Sequence, residues 1–135
     1  YTQPAELKSE LQGPLGKFPL FDFWGPKAGI RSSEWIAAAT QRVMTMKRPS
    51  VTLCYLPHLD YDLQRFGPES PEAVRACGEI DRVAGSLAEH AANTGHTVVV
   101  LSEYGITPVR DGVHLNRALR RAGLLAVQEV DLGWE

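Results

Sequence analysis

The chain predicts an α/β domain with a mainly parallel sheet, and three observations carry that expectation. Residues 51–56 form a short apolar, β-branched and aromatic run stopped by Pro57, the pattern of a buried strand. Residues 97–101 form a second such run, almost pure valine. Between them lies a long stretch with helical periodicity. A strand, helix and strand of this length close as a right-handed crossover, which makes the strands parallel and sends their carboxyl ends to one edge of the sheet.

A chain of 135 residues with 44% hydrophobic content suffices for one core and is short for two full domains. The formal net charge of −2, with Lys and Arg dispersed, provides no basic stripe to track a phosphate backbone, so a nucleic acid polymer is not an expected partner. Cys54 and Cys77 sit in apolar patterns without a CxxC, which reads as two reduced, buried thiols in a cytoplasmic setting. No apolar stretch is long enough to span a bilayer and no signal-peptide pattern is present. The sequence opens at Tyr1 and ends at Glu135 just after an apolar run, which suggests a fragment. Oligomeric state is left open.

Residues 1–30 read as an extension rich in Gly, Pro and aromatics, and 31–135 as the α/β portion. A short helix is expected over residues 4–11, with Pro in its first turn. The cluster Phe21-Asp22-Phe23-Trp24-Gly25-Pro26 reads as a packed loop covering a sheet edge, or as an aromatic wall with Trp24 available for stacking a flat group. Ser32 or Ser33 can cap a helix whose inner face is Trp35, Ile36, Ala39, Val43 and Met46, ended by Lys47, Arg48 and Pro49. Ser70-Pro71-Glu72 is a cap, an N1 proline and a first-turn acid. The helix it opens places Val74, Cys77, Ile80, Ala84, Leu87, Ala88 and Ala91 at three- and four-residue steps and stops at Asn93-Thr94-Gly95. Gly78 and Gly85 inside it suggest close approach to a neighbour. His90 and His96 read as solvated or cap-bonding side chains. After the second strand, 114–122 reads as a helix closed by Gly123, and 124–130 as a third strand nearer an edge.

The chemistry-bearing residues follow the strand ends. His58, Asp60 and Asp62 come at alternate positions after the first strand and before the Gly67-Pro68 turn, and Glu103 comes after the second. In an open α/β sheet ligands bind outside the carboxyl ends of the strands, so Asp60 and Glu103 can converge. Carboxylates beside an imidazole suit a borderline divalent cation. The alternative is that Asp60 and Asp62 only cap a turn.

These residues carry a resemblance. The order Asp-x-x-x-Gln-x-x-Gly-Pro is set by Asp60, Gln64, Gly67 and Pro68. It is followed by a helix containing Asp81, an apolar strand, Ser102-Glu103-Tyr104-Gly105, and a Leu115-Asn116 helix. Together they resemble the type I phosphodiesterase/nucleotide pyrophosphatase branch of the alkaline phosphatase superfamily. The likeness runs from about Phe18 onward, and is nearest to a divergent bacterial subgroup. It implies an alkaline-phosphatase-like layered fold and a metal-dependent hydrolase of phosphodiester or pyrophosphate bonds, with a small phosphorylated or nucleotide-like substrate. The metal would be zinc, or else Mn or Mg. In the family the first loop reads Asp-x-x-Gly-His-x-x-Gly-Pro and the second Ser-Asp-His-Gly. Asp60 then falls on a metal-binding aspartate, Gln64 on its partner histidine, Glu103 on the second aspartate and Tyr104 on the second histidine. Glu103 still offers an anionic oxygen, whereas Gln64 and Tyr104 are poorer ligands than imidazole. His58 would compensate as a metal ligand, and Tyr104 and Trp24 would face the substrate. The family nucleophile has no counterpart here, since neither Ser33 nor Thr40 is in its context. The resemblance thus implies a fragment inactive alone. An inactive relative that binds a ligand or partner, and a phosphonate hydrolase on the same fold, are its alternatives.

Overall fold

The computed structural model describes residues 2–128, and among them the regular structure is entirely helical. The helices are α1 (Leu7–Leu15), α2 (Leu20–Phe23), α3 (Ile30–Lys47), α4 (His58–Phe66), α5 (Pro71–Asn93) and α6 (Leu115–Arg121). The two long helices, α3 and α5, pack on each other; α4 packs chiefly on α5, and α1 and α2 lie against α3.

The core is built largely from small side chains. Ala37, Ala39 and Met44 of α3 and Ala73, Ala76 and Ala91 of α5 are buried, with Leu11 of α1 and Ala28 beside them. Alanine at three-residue spacing lets helix backbones approach closely while retaining helix propensity. Ser32 and Ser33 are fully buried inside the first turn of α3, whose N-cap is Gly29, so neither serine caps it. The Ser32 hydroxyl instead donates to Gly29 O at 3.0 Å. The predicted inner face is rotated slightly: Met46 is exposed and Met44 buried on α3, and on α5 Val74 is exposed while Ala73 and Ala76 are covered.

The α/β expectation with a mainly parallel sheet is overturned. Residues 51–56 and 97–101 have no regular structure, and no backbone hydrogen bond joins either run to another segment among the described residues. A strand requires a ladder partner and a covered face. Val51, Leu53 and Tyr55 point outward, and Val99 and Val100 are 78% and 84% exposed. Apolar patterning alone cannot distinguish a buried strand from an uncovered extended segment. The third expected strand has no regular structure over residues 124–128, and its remainder lies outside the described residues.

Other expectations shift as well. The first helix begins at Leu7 and continues through Pro14 to Leu15, and the aromatic segment read as loop contains the short helix α2. The stretch after Pro57, read as an acidic loop, is helix α4. Cys77 is exposed and Cys54 half-buried, so the thiols are not a buried pair. A Cβ at Gly78 or Gly85 would meet nothing within 4 Å, which removes the close-approach reading of those glycines. The start of α5 follows the sequence: the Ser70 hydroxyl accepts from Ala73 N at 3.1 Å and Pro71 occupies the first turn. His90 and His96 both act as hydrogen-bonding links, His90 to Thr45 at 3.4 Å and His96 to Pro49 O at 3.2 Å. Among the described residues no helix is long and apolar enough to cross a membrane.

Two substitutions test this account of the helix ends. Ser70→Ala removes the side-chain acceptor for Ala73 N and lowers stability by about 1 kcal/mol in urea denaturation. Arg48→Gly relieves a left-handed residue (φ 47°) at the end of α3 and raises stability by roughly 1 kcal/mol in the same measurement.

Candidate functional site on helix α4

Helix α4 is started and stopped by prolines and a glycine. Pro57 sits in helical backbone at its N-cap, and Gly67 closes it at φ 88° with its N–H on Leu63 O at 3.0 Å. The left-handed conformation at that closing position is one that glycine adopts without a Cβ clash. Because α4 is helical, residues four apart share a face and residues two apart do not. His58 and Asp62 therefore share one side, and Asp60 faces another.

The inner side holds His58 and Asp62 against α5. His58 is only 4% exposed, and its Nε2–H donates to Glu79 Oε2 at 2.8 Å while Nδ1 is buried without a partner. Asp62 accepts from Arg65 Nη1 at 3.3 Å and from Arg75 Nη2 at 3.5 Å. Arg75 Nε stands 3.9 Å from Glu79 Oε1, completing a chain of alternating charge along the α4–α5 seam. The arginines are substantially open to solvent, so their ion pairs contribute little on their own. The His58–Glu79 contact is the strong member, because the buried imidazole left alone there would be desolvated and unsatisfied.

A second side ties α4 to the aromatic segment. The Tyr61 hydroxyl donates to Phe23 O, and Arg65 Nη2 donates to Gly25 O and Pro26 O, each at 3.2 Å. Burial is the main cause that pushes the Tyr61 phenol up. Trp24 stands at the end of α2, 81% exposed, and makes no side-chain hydrogen bond or ring pair among the described residues.

The outer side carries Asp60 and Gln64, one turn apart. Gln64 Nε2 donates to Asp60 Oδ2 at 2.7 Å. The Asp60 carboxylate near the Tyr104 hydroxyl is the main cause that pushes the Tyr104 phenol up to about 12. A phenol so placed keeps its proton at neutral pH. Glu103 is exposed and forms no ion pair or side-chain hydrogen bond among the described residues.

Of the residues expected to hold a metal, the arrangement brings Asp60 and Gln64 together with Tyr104 and turns His58 away into the α4–α5 seam. No three His, Cys, Asp or Glu side chains converge as a metal set among the described residues. The donors that do converge are one carboxylate, an amide whose nitrogen is turned toward that carboxylate, and a protonated phenol. Zinc takes thiolate, imidazole or carboxylate, so this set does not fit a zinc pair. Two shallow cavities lie elsewhere, one along residues 113–117 and one bordered by Leu15, Lys17, Pro19 and Arg31, and neither touches Asp60.

Sequence reasoning missed Glu79, Arg75 and Tyr55. The first two were detectable, because Arg75 and Glu79 form an i, i+4 pair near the buried Ala76 on a helix that was correctly expected. Tyr55 carried no such signal. Replacing Glu79 with Ala strands the His58 imidazole and lowers stability by about 1–3 kcal/mol, whereas Arg75→Ala changes it by less than about 1 kcal/mol; paired urea titrations check the ranking.

The comparisons with known proteins agree with the motif order. The model of the family described as type I phosphodiesterase / nucleotide pyrophosphatase matches residues 1–134. A Schizosaccharomyces pombe protein described as an uncharacterized pyrophosphatase/phosphodiesterase is 37% identical over 68 residues, which is 47% of this chain and 14% of that relative. The chain therefore spans a small part of the length of the curated relative it matches. No solved structure matches it. By the match of its family model across nearly the whole sequence, this chain belongs to the type I phosphodiesterase/nucleotide pyrophosphatase family.

Proposed function

We propose that this chain is one portion of a hydrolase acting on phosphodiester or pyrophosphate bonds, and that it turns over no substrate alone. The observation that carries this reading is the family match over residues 1–134, beside which Gln64 donates to Asp60 at 2.7 Å on the outer side of α4. Membership of the family supports the reaction class. The inactivity of the isolated chain is supported by its hydroxyls. Ser33 is fully buried, and Thr40 is engaged with Ile36 O at 2.8 Å and Cys54 Sγ at 3.3 Å, so neither is poised as a nucleophile.

In this reading the substrate is small and phosphorylated or nucleotide-like. The rim around Asp60 offers neutral donors, the Tyr104 hydroxyl and the Gln64 amide, to which phosphoryl oxygens can hydrogen-bond. Trp24, exposed at the end of α2, supplies an aromatic face of the kind on which a base stacks.

A second reading is favoured by the same side chains. With an amide and a phenol at positions where the family resemblance places imidazoles, the chain also suits an inactive relative that binds a ligand or partner without turning it over.

Assay of nitrophenyl phosphodiesters and nitrophenyl phosphonates distinguishes these readings. The isolated chain is expected to release no nitrophenol, and a longer polypeptide containing it is expected to cleave the diesters in preference to the phosphonates. In that longer protein Asp60→Asn is expected to lower kcat/KM by about 100-fold, the loss typical of removing one preorganised polar group, while His90→Ala leaves it unchanged. Absence of turnover in the longer protein establishes the binding-module reading instead.

A further inference from the structure

Two side chains of α4 hold the backbone on either side of Trp24. We propose that Tyr61 and Arg65 are positioning residues, which fix the Trp24 indole as the face that receives the flat ring of a nucleotide. The ligand class rests on the nucleotide-like substrate proposed above, and the inference adds which part of that ligand is recognised and what holds the recognising group.

The segment is tied down from both neighbouring helices. Asp22 O accepts from Gly29 N at 2.9 Å, Phe23 O from the Tyr61 hydroxyl, and Gly25 O and Pro26 O from Arg65 Nη2, each at 3.2 Å. The Phe23 ring packs edge-on against Phe18 at 5.3 Å, and Phe18 packs in the same way against Trp35 of α3 at 5.2 Å. Asp22 also pairs with Arg31 of α3 at 3.6 Å. The residue before Trp24 is thus anchored to α3 by its ring and to α4 by its carbonyl. None of these contacts uses the indole of Trp24, which stands 81% exposed.

The two α4 side chains suit this task. Tyr61 and Arg65 are one turn apart and share a side of the helix, with the guanidinium 5.9 Å from the Tyr61 ring centroid. The planar guanidinium reaches two carbonyls through one nitrogen while Nη1 donates to Asp62, which a lysine ammonium on a flexible stem does not reproduce. A backbone fixed on both flanks limits where the indole can stand before a ligand arrives, so less ordering entropy opposes binding. A nucleobase stacks on an aromatic face of this kind. Asp60 and Gln64 precede Tyr61 and Arg65 directly in sequence, so one helix sets both the phosphoryl-facing rim and the ring-facing indole.

The test is binding, and it is independent of whether any phosphoester is cleaved. The chain is titrated with AMP and, separately, with ribose 5-phosphate, while the indole N–H resonances are followed by NMR and that of Trp24 is assigned from Trp24→Leu. AMP is expected to shift the Trp24 resonance and to bind roughly tenfold more tightly than ribose 5-phosphate. The Trp35 resonance, whose Nε1–H donates to Gly16 O at 3.1 Å, is expected to stay in place and reports an intact fold. Tyr61→Phe and Arg65→Lys are each expected to shrink the preference for AMP severalfold with the Trp35 resonance unmoved, and Trp24→Leu to abolish it. A merely structural role for Tyr61 and Arg65 would weaken both ligands equally and leave their ratio unchanged. The proposal is overturned by an undiminished preference for AMP in Tyr61→Phe and Arg65→Lys, or by AMP leaving the Trp24 resonance of the wild type in place. AMP that shifts Trp24 in a protein without turnover leaves this inference standing and removes the hydrolase reading.

Discussion

The register of α4 against α5 is the constraint on which the rest of the site depends, and the His58–Glu79 contact sets it. With His58 held in the seam, helical geometry leaves no freedom in where the following residues face. Asp62 goes inward to the arginines, Tyr61 and Arg65 face the carbonyls of residues 23–26, and Asp60 and Gln64 emerge on the outer side. The aromatic segment is thus docked on one side of a nine-residue helix whose other side presents Asp60 and Gln64. A rotation of α4 by one residue would break the His58–Glu79 contact and the Tyr61 and Arg65 attachments together.

This dependence explains why charge contributes unequally along the seam. Glu79 and Asp62 each have an arginine within reach, yet Arg75 is mostly in water, where an ion pair offsets little more than the entropy of ordering its side chain. His58 is shielded, so leaving its imidazole unpaired costs the desolvation of a polar group, while Glu79 keeps part of its surface in water. The seam is specified by the one contact that cannot be exchanged for water. The small residues of α3 and α5 supply contact area but little directional preference, as alanines pack acceptably at several rotations.

Much of the helical part of the chain was legible in the sequence, and the reasons are local. Ser70-Pro71-Glu72 announces a helix because its cap, fixed φ and first-turn acid satisfy the same end of the same element. Gly123 marks the end of α6 in the same way. The start of α4 carried comparable signals, with Pro57 before it, Asp60 in its first turn and Gly67-Pro68 after it, but the strand expected before Pro57 led the stretch to be read as an acidic loop. The sheet expectation failed for a different reason. Valine runs report that a segment would be stable if covered, and say nothing about whether a covering partner is present. At residues 97–101 none is found among the described residues.

The candidate site shows the same division between what is local and what is not. The expected meeting of Asp60 and Glu103 rested on parallel strands that are not formed among the described residues, so its physical basis falls with the sheet. Glu103 was the chemically obvious candidate because it is anionic. Two carboxylates would repel at short range, however, and require a cation between them. A phenol next to a carboxylate requires nothing further, since its proton fills the place a cation would occupy. A phenol near Asp60 thus differs from a second carboxylate in carrying its own proton, and Gln64, donating to Asp60 Oδ2 from within α4, satisfies the same carboxylate.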